Sequence, residues 1–146
     1  MKKIFFAVVA VLFLSGCAGA KQYLPLPDLT VPVENPDYGR IYVLRPTPFG
    51  SAVSMKVREG IKNIGVTGPN SFLAWEREPG PASIVSKAEN DEVLNFEVEK
   101  GKAYYVQQHV RMGLMEARNE LELLSEDEGK ALLSKCKAPK VELQER

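Results

Sequence analysis

Few residues in this chain of 146 are of a type and spacing that could carry chemistry, and two of them are cysteines. Cys17 closes the stretch Leu14-Ser15-Gly16-Cys17, whereas Cys136 stands alone near the other end. A structural zinc site needs clustered His, Cys or carboxylate ligands; with one histidine in the chain, His109, no metal is expected. His109 lies in a β-rich run on the opposite parity from Val106 and Val110, which suits a surface or hydrogen-bonded histidine better than a catalytic one. No Gly-x-Ser-x-Gly elbow occurs, and Gly101-Lys102 lacks the preceding glycine of a phosphate loop. Asp and Glu are scattered as solvated faces would have them, and a glycosidase-type carboxylate pair is defined by a separation that sequence does not give. The reading is therefore of a non-enzyme with no catalytic residue and no cofactor.

One run stands apart: Arg111-Met-Gly-Leu-Met-Glu-Ala-Arg118-Asn-Glu120. Met112, Leu114 and Met115 are adaptable apolar groups, and Arg111 and Arg118 beside them can pair with carboxylates in bidentate fashion. Such a set forms a possible binding loop. The competing reading has the Met and Leu side chains capping one end of the fold while Arg118 bonds nearby backbone. Trp75 has the same two readings, a sugar-stacking platform or a core residue, of which the second is the commoner.

The N-terminus positions Cys17. Lys2 and Lys3 precede an unbroken apolar run, Ile4 to Leu14, which is 11 residues long. A helix crossing a bilayer core needs about 20. A basic start, a short apolar run and small residues at its end describe a secretory signal. Leu14-Ser15-Gly16-Cys17 resembles the lipobox of bacterial lipoproteins. That resemblance implies diacylglyceryl attachment to the Cys17 thiol, cleavage between Gly16 and Cys17, and acylation of the new amino group. Two or three acyl chains make a durable membrane anchor where one holds only marginally. Ala18 and Gly19 follow, without the Asp that marks inner-membrane retention in enteric-type bacteria, so an outer-membrane anchor facing the periplasm is expected. With Cys17 occupied by lipid, Cys136 is an odd thiol, either a reactive or intermolecular group or a small buried hydrophobe. The helical spacing described below favours the latter.

Loss of residues 1–16 leaves 130, enough for one domain with a core, and 17 Lys and Arg against 19 Asp and Glu. Nothing in that balance neutralises phosphates, so nucleic-acid binding has no footprint. Residues 17–38 carry Pro25, Pro27, Pro32 and Pro36, spaced for extended polyproline rather than helix. They read as a linker, although Leu24, Leu26, Leu29, Val31 and Val33 are more apolar than a spacer requires, so part of it is a candidate to lie along the domain or on a partner. From Gly39 the period becomes two. Strands are expected at 40–45, 52–58, 61–67, 72–75, 83–88, 93–98, 103–110 and 121–124, with an irregular loop from Arg111 to Asn119. Phe72-Leu-Ala-Trp75 is apolar on both faces and so central or covered. About seven to eight strands with turn signals roughly every 8–12 residues indicate a mainly β fold, an antiparallel β-sandwich. Ser125 with Glu128 forms a capping box that starts a C-terminal helix, on which Leu132, Leu133 and Cys136 recur at helical spacing. The domain is thus placed at 39–137 and a charged, frayed tail at 138–146.

The order Arg40-Ile-Tyr-Val-Leu-Arg-Pro46, Gly50-Ser-Ala52, Pro79-Gly80, Gly101-Lys-Ala-Tyr-Tyr-Val106, Ala117-Arg118 and Cys136-Lys137 is similar to a family of small bacterial lipoproteins catalogued as a domain of unknown function, number 2846. The resemblance spans Gly39 to Lys137 and brings no activity, cofactor or catalytic residue. The expectation is a lipid-anchored envelope lipoprotein, held in the membrane by acyl chains on Cys17. It would act as a binding or scaffold accessory to another envelope protein. The alternatives are a small-ligand or peptide-binding lipoprotein with a pocket near residues 111–120 and, less favoured, an envelope hydrolase with an unrecognised site.

Overall fold

The computed structural model describes residues 19–50, 52–112, 114–115 and 117–144. The strands are β1 (Lys21–Gln22), β2 (Gly39–Arg45), β3 (Met55–Glu59), β4 (Lys62–Thr67), β5 (Ser71–Arg77), β6 (Gly80–Lys87), β7 (Asp91–Val98), β8 (Ala103–Met112), β9 (Ala117–Leu124) and β10 (Lys140–Val141); helix α1 spans Glu126–Leu133. They form the expected mainly β sandwich with one C-terminal helix. One sheet runs β10-β1-β4-β3-β6-β7 and the other β5-β2-β8-β9.

Alternation decides what faces the space between the sheets. Ile41 and Val43 of β2, Leu73 and Trp75 of β5 and Val106 of β8 meet Val57, Ile64, Ala82, Ile84 and Val98 of the facing sheet. Trp75 is a core residue, 2% exposed, whose indole N–H donates to Glu59 at 2.7 Å. The other parity of the smaller sheet makes a second apolar layer from Tyr42, Leu44, Phe72, Ala74 and Tyr105. Leu26 of the N-terminal arm and Leu132, Leu133 and Cys136 of the helical segment cover it. This second layer explains the two-faced apolarity of 72–75: β5 is an edge strand, but a covered one.

Three expectations are corrected. The sheets are mixed, because β2 and β8 pair in parallel, with Arg40 opposite Ala103, as do β1 and β10. The chain between β2 and β8 builds most of the other sheet, so β8 re-enters beside β2 from the same end instead of folding back by a hairpin. Arg111, Met112 and residues 117–119 are not irregular: the β8–β9 ladder continues through Arg111 opposite Arg118 and Met112 opposite Ala117. Its outer pairs lie beyond the packed core, so no apolar alternation marks them. The tail is tied down at β10, where Lys140 and Glu142 donate backbone N–H groups to Ala20 and Gln22.

The arm also departs from a free spacer. Ala20 is buried and Gln22 fully so, and β1 pairs with β4. Gly65 permits this, since a Cβ there would overlap the Lys21 carbonyl. The Gln22 carboxamide then accepts from the Ala74 N–H at 2.9 Å and donates to the Ala74 carbonyl at 2.8 Å. A side chain thus satisfies the open edge of β5, where a bare strand would invite pairing with another chain.

Candidate functional site

Two regions combine features beyond packing: the end of the sandwich where the chain emerges from Cys17, and the outer face where arm and helix meet. Cys17 and Gly16 lie outside the described residues, but the fold fixes where their neighbour must be. Gly19 and Lys21 share a cleft of about 270 Å³ with Ala52, Val53 and Gly68. Two residues fully extended reach about 7 Å, which is the longest span from Gly19 to the cysteine.

Other segments converge there. The Asn70 N–H donates to the Thr47 carbonyl, and Gly50, at a φ of +69°, lies against Val110 of β8. Arg45, on the inward parity of β2 and fully buried, donates to the carbonyls of Val53 at 2.5 Å and Gly50 at 2.6 Å. Its guanidinium therefore pins the 46–53 loop, and burial pushes its pKa below the ordinary arginine value. A polar layer closes the inter-sheet core beside it: Thr67 donates to Gln108 at 2.6 Å, and Gln108 donates to Ser86 at 2.8 Å. Asn90 and Asn119 bond each other through side chain and backbone, joining the β6–β7 turn to the start of β9.

From this rigid platform the β8–β9 hairpin projects. Leu114 and Met115 at its tip are 106% and 95% exposed, and Met112 is 64% exposed. Arg111 and Arg118 face each other across the ladder, with Arg111 also donating to Glu120 at 2.9 Å. The structure thus brings the five sequence-selected residues, Arg111, Met112, Leu114, Met115 and Arg118, together on one hairpin, with its three apolar members exposed. His109 stands further down β8 with Nε2 at 2.7 Å from Glu122.

The second region rests on residues that motif reading passed over. Arg40 of β2 and Glu76 of β5 are register partners and form an ion pair at 2.7 Å, with the Arg40 side chain fully buried. Arg40 also donates to the carbonyls of Asp28 at 2.9 Å and Val31 at 2.8 Å, while Glu76 accepts from the backbone N–H groups of Glu34 and Asn35. One charge pair therefore clamps four points of the arm. Burial alone would raise the Glu76 carboxyl, but the N–H groups of Asn35 and Glu34 and then Arg40 outweigh it and hold it below the usual range.

Between the clamped arm and α1 runs a groove of about 400 Å³, walled by Leu29, Val31, Lys102, Lys130 and Leu133. Its floor is Tyr42 stacked on Tyr105, centroids 5.0 Å apart with the ring planes nearly parallel. Helix α1 sits close because Gly129 meets the Tyr105 ring, where a Cβ would overlap it. Its start is set by the expected capping box, with Ser125 and Glu128 bonding reciprocally. Cys136 is half-buried beneath the helical segment, and desolvation pushes its thiol up to about 11, which makes it unreactive at neutral pH. Among the described residues no group of three or more His, Cys, Asp or Glu is placed to hold a metal. The signal for Arg40 and Arg45 was present in the alternation, since each holds a charge on a strand whose every neighbour is apolar or covered.

The model of the prokaryotic membrane lipoprotein lipid attachment site matches residues 1–18. This chain carries a lipoprotein anchor signal. The cysteine within that match is the lipid-bearing residue, and it ties the protein to a bacterial membrane. The chain is also similar to an uncharacterized protein of Haemophilus influenzae, 29% identical over 128 residues, which span 85% of this chain and 76% of the relative. No solved structure matches it.

Proposed function

We propose that the protein is a non-catalytic, lipid-anchored binding subunit of the cell envelope. In this reading it faces the periplasm from the outer membrane, as Ala18 and Gly19 after the cysteine support, and belongs to the small-lipoprotein family suggested by its motif order. The observation that carries the binding role is the groove between the arm and α1. It is preformed, because Arg40 and Glu76 lock one wall and Gly129 seats the other. Leu29 and Val31, 41% and 38% exposed, give its arm wall an apolar surface of the kind that takes up peptide side chains, above Tyr42 and Tyr105, which are 5% and 4% exposed. It opens beside Gly101 and Lys102, at the start of β8 and so at the end of the sandwich opposite Gly19. The occupant is an extended segment of a neighbouring envelope protein, and preorganisation lowers the ordering cost of binding it.

Photo-crosslinking in intact cells tests this. A benzophenone side chain at Lys102 or Lys130 is expected to give one discrete adduct with an envelope protein. The same group at Val93, exposed on the far sheet, gives none. Absence of adducts at both groove positions, or equal adducts at all three, contradicts the assignment.

A further inference from the structure

The end of the sandwich that carries the anchor also carries the most exposed apolar side chains of the smaller sheet, and the two facts belong together. Gly19 lies within about 7 Å of Cys17, and the acyl chains of Cys17 are in the bilayer. Any spacer between the end face and the lipidated cysteine is at most that two-residue reach. Beyond Val110, which packs on Gly50 at that face, β8 runs on to Met112. Two extended residues at about 3.4 Å each carry it roughly 7 Å further, the same reach as that from Gly19 to the lipidated cysteine.

We propose that this end is a bilayer-contact surface. Leu114 and Met115 enter the interfacial zone, Phe49, 52% exposed on the loop pinned by Arg45, is at the same end of the sandwich, and Arg111 and Arg118 pair with lipid phosphates, Arg111 exchanging its partner Glu120 for one. The hairpin is suited to this task. Its tip is apolar and adaptable, its two arginines sit one ladder step behind the tip at headgroup depth, and long basic side chains reach phosphates while their stems stay in the apolar layer. Lys137 is exposed on the same side of the molecule, as is Lys140, which pairs with Glu142 at 3.3 Å, and exposed basic groups favour an anionic leaflet. Glu116, which follows Met115 in sequence, and Glu120, which pairs with Arg111 at 2.9 Å, carry the opposing charge. The anchor and the hairpin then fix the orientation of the domain, which a single flexible tether would leave free. The proposal rests on lipidation of Cys17 and not on any protein partner.

The test uses the full lipidated protein in vesicles of phosphatidylethanolamine and phosphatidylglycerol. A spin label is placed at Leu114→Cys, or at Ile61→Cys as control, in a Cys136→Ala background. Ile61 is 97% exposed in the β3–β4 turn at the opposite end, so the two sites match in exposure and differ only in position. Flotation first establishes that the protein is anchored; failure there overturns the lipid anchor itself. For floated protein, the label at Leu114 is expected to be open to oxygen and shielded from a water-soluble nickel complex, with the reverse at Ile61. Equal nickel access at the two sites overturns the proposal, as does shielding that grows with protein density at fixed lipid, which would mark contact with a second copy. Arg111→Gln with Arg118→Gln is expected to raise nickel access at Leu114; no change overturns the phosphate pairing.

Discussion

Removing one member of the Arg40–Glu76 pair reveals how firmly the arm is held. In Glu76→Ala, Arg40 Nε and Nη2 lose an acceptor at 3.0 and 2.7 Å, and the N–H groups of Glu34 and Asn35 lose theirs. The stranded guanidinium has a side-chain exposure of 0%. Breaking a buried pair in this way costs about 3–5 kcal/mol. Release of the arm would let water reach Arg40, so the lower end applies, about 3 kcal/mol or about 10 °C in Tm for a domain of this size. Thermal unfolding followed by circular dichroism in detergent measures the first quantity, and cleavage after Glu34 by a glutamate-specific protease measures release of the arm. Arg40→Leu with Glu76→Leu is expected to lose less than the sum of the single changes, with a coupling of about 2 kcal/mol. The same pair sets an acid limit. The Glu76 carboxyl is depressed in the folded state, so its contribution is complete above the ordinary value of 4.5 and is lost as pH falls below it. Glu76→Gln should flatten that acid-side decline. A Glu76→Ala protein that melts within about 1 kcal/mol of the parent and resists cleavage at Glu34 would refute the clamp.

Two glycines give sharper local tests. Gly65→Val should expel β1 from the sheet, because its Cβ overlaps the Lys21 carbonyl; trypsin would then cut rapidly after Lys21, and unchanged resistance would contradict the pairing. Gly129→Ala should lift α1 from Tyr105 and speed reaction of Cys136 with an aromatic disulfide at pH 8, which in the parent is slow because the thiol is half-buried and raised to about 11. The neutral thiol also implies an alkaline loss of stability from about 9 towards 11 as the unfolded chain ionises first, and Cys136→Ala should remove that decline.

Strand positions, the capped helix and the anchor signal were legible because each depends on local pattern: parity, a Ser with Glu three places on, and a basic-apolar-small run. The role of the arm was not. Its prolines report only that it is extended, while the groups that dock it, Gln22, Arg40 and Glu76, are far apart in sequence and meet only when β2 and β5 pair. The hairpin tip was half legible. The mix of Met, Leu and Arg was visible, but spacing could not show that the ladder continues to Met112 or that this end also holds Gly19. Parallel pairing of β2 with β8 was hidden for the same reason, since strand order is a property of the whole chain. Arg45 was a missed signal: an arginine in phase with Ile41 and Val43 points into the core, where its guanidinium needs carbonyl or carboxylate acceptors.

The membrane anchor, and with it the envelope role and the bilayer-contact surface, depends on what Cys17 carries. Mass spectrometry of the tryptic peptide ending at Lys21, taken from membranes, reads it directly. The expected species begins at Cys17 and carries a diacylglyceryl thioether with an acylated amino group. A peptide that begins elsewhere, or an unmodified Cys17 in the mature protein, would contradict the account.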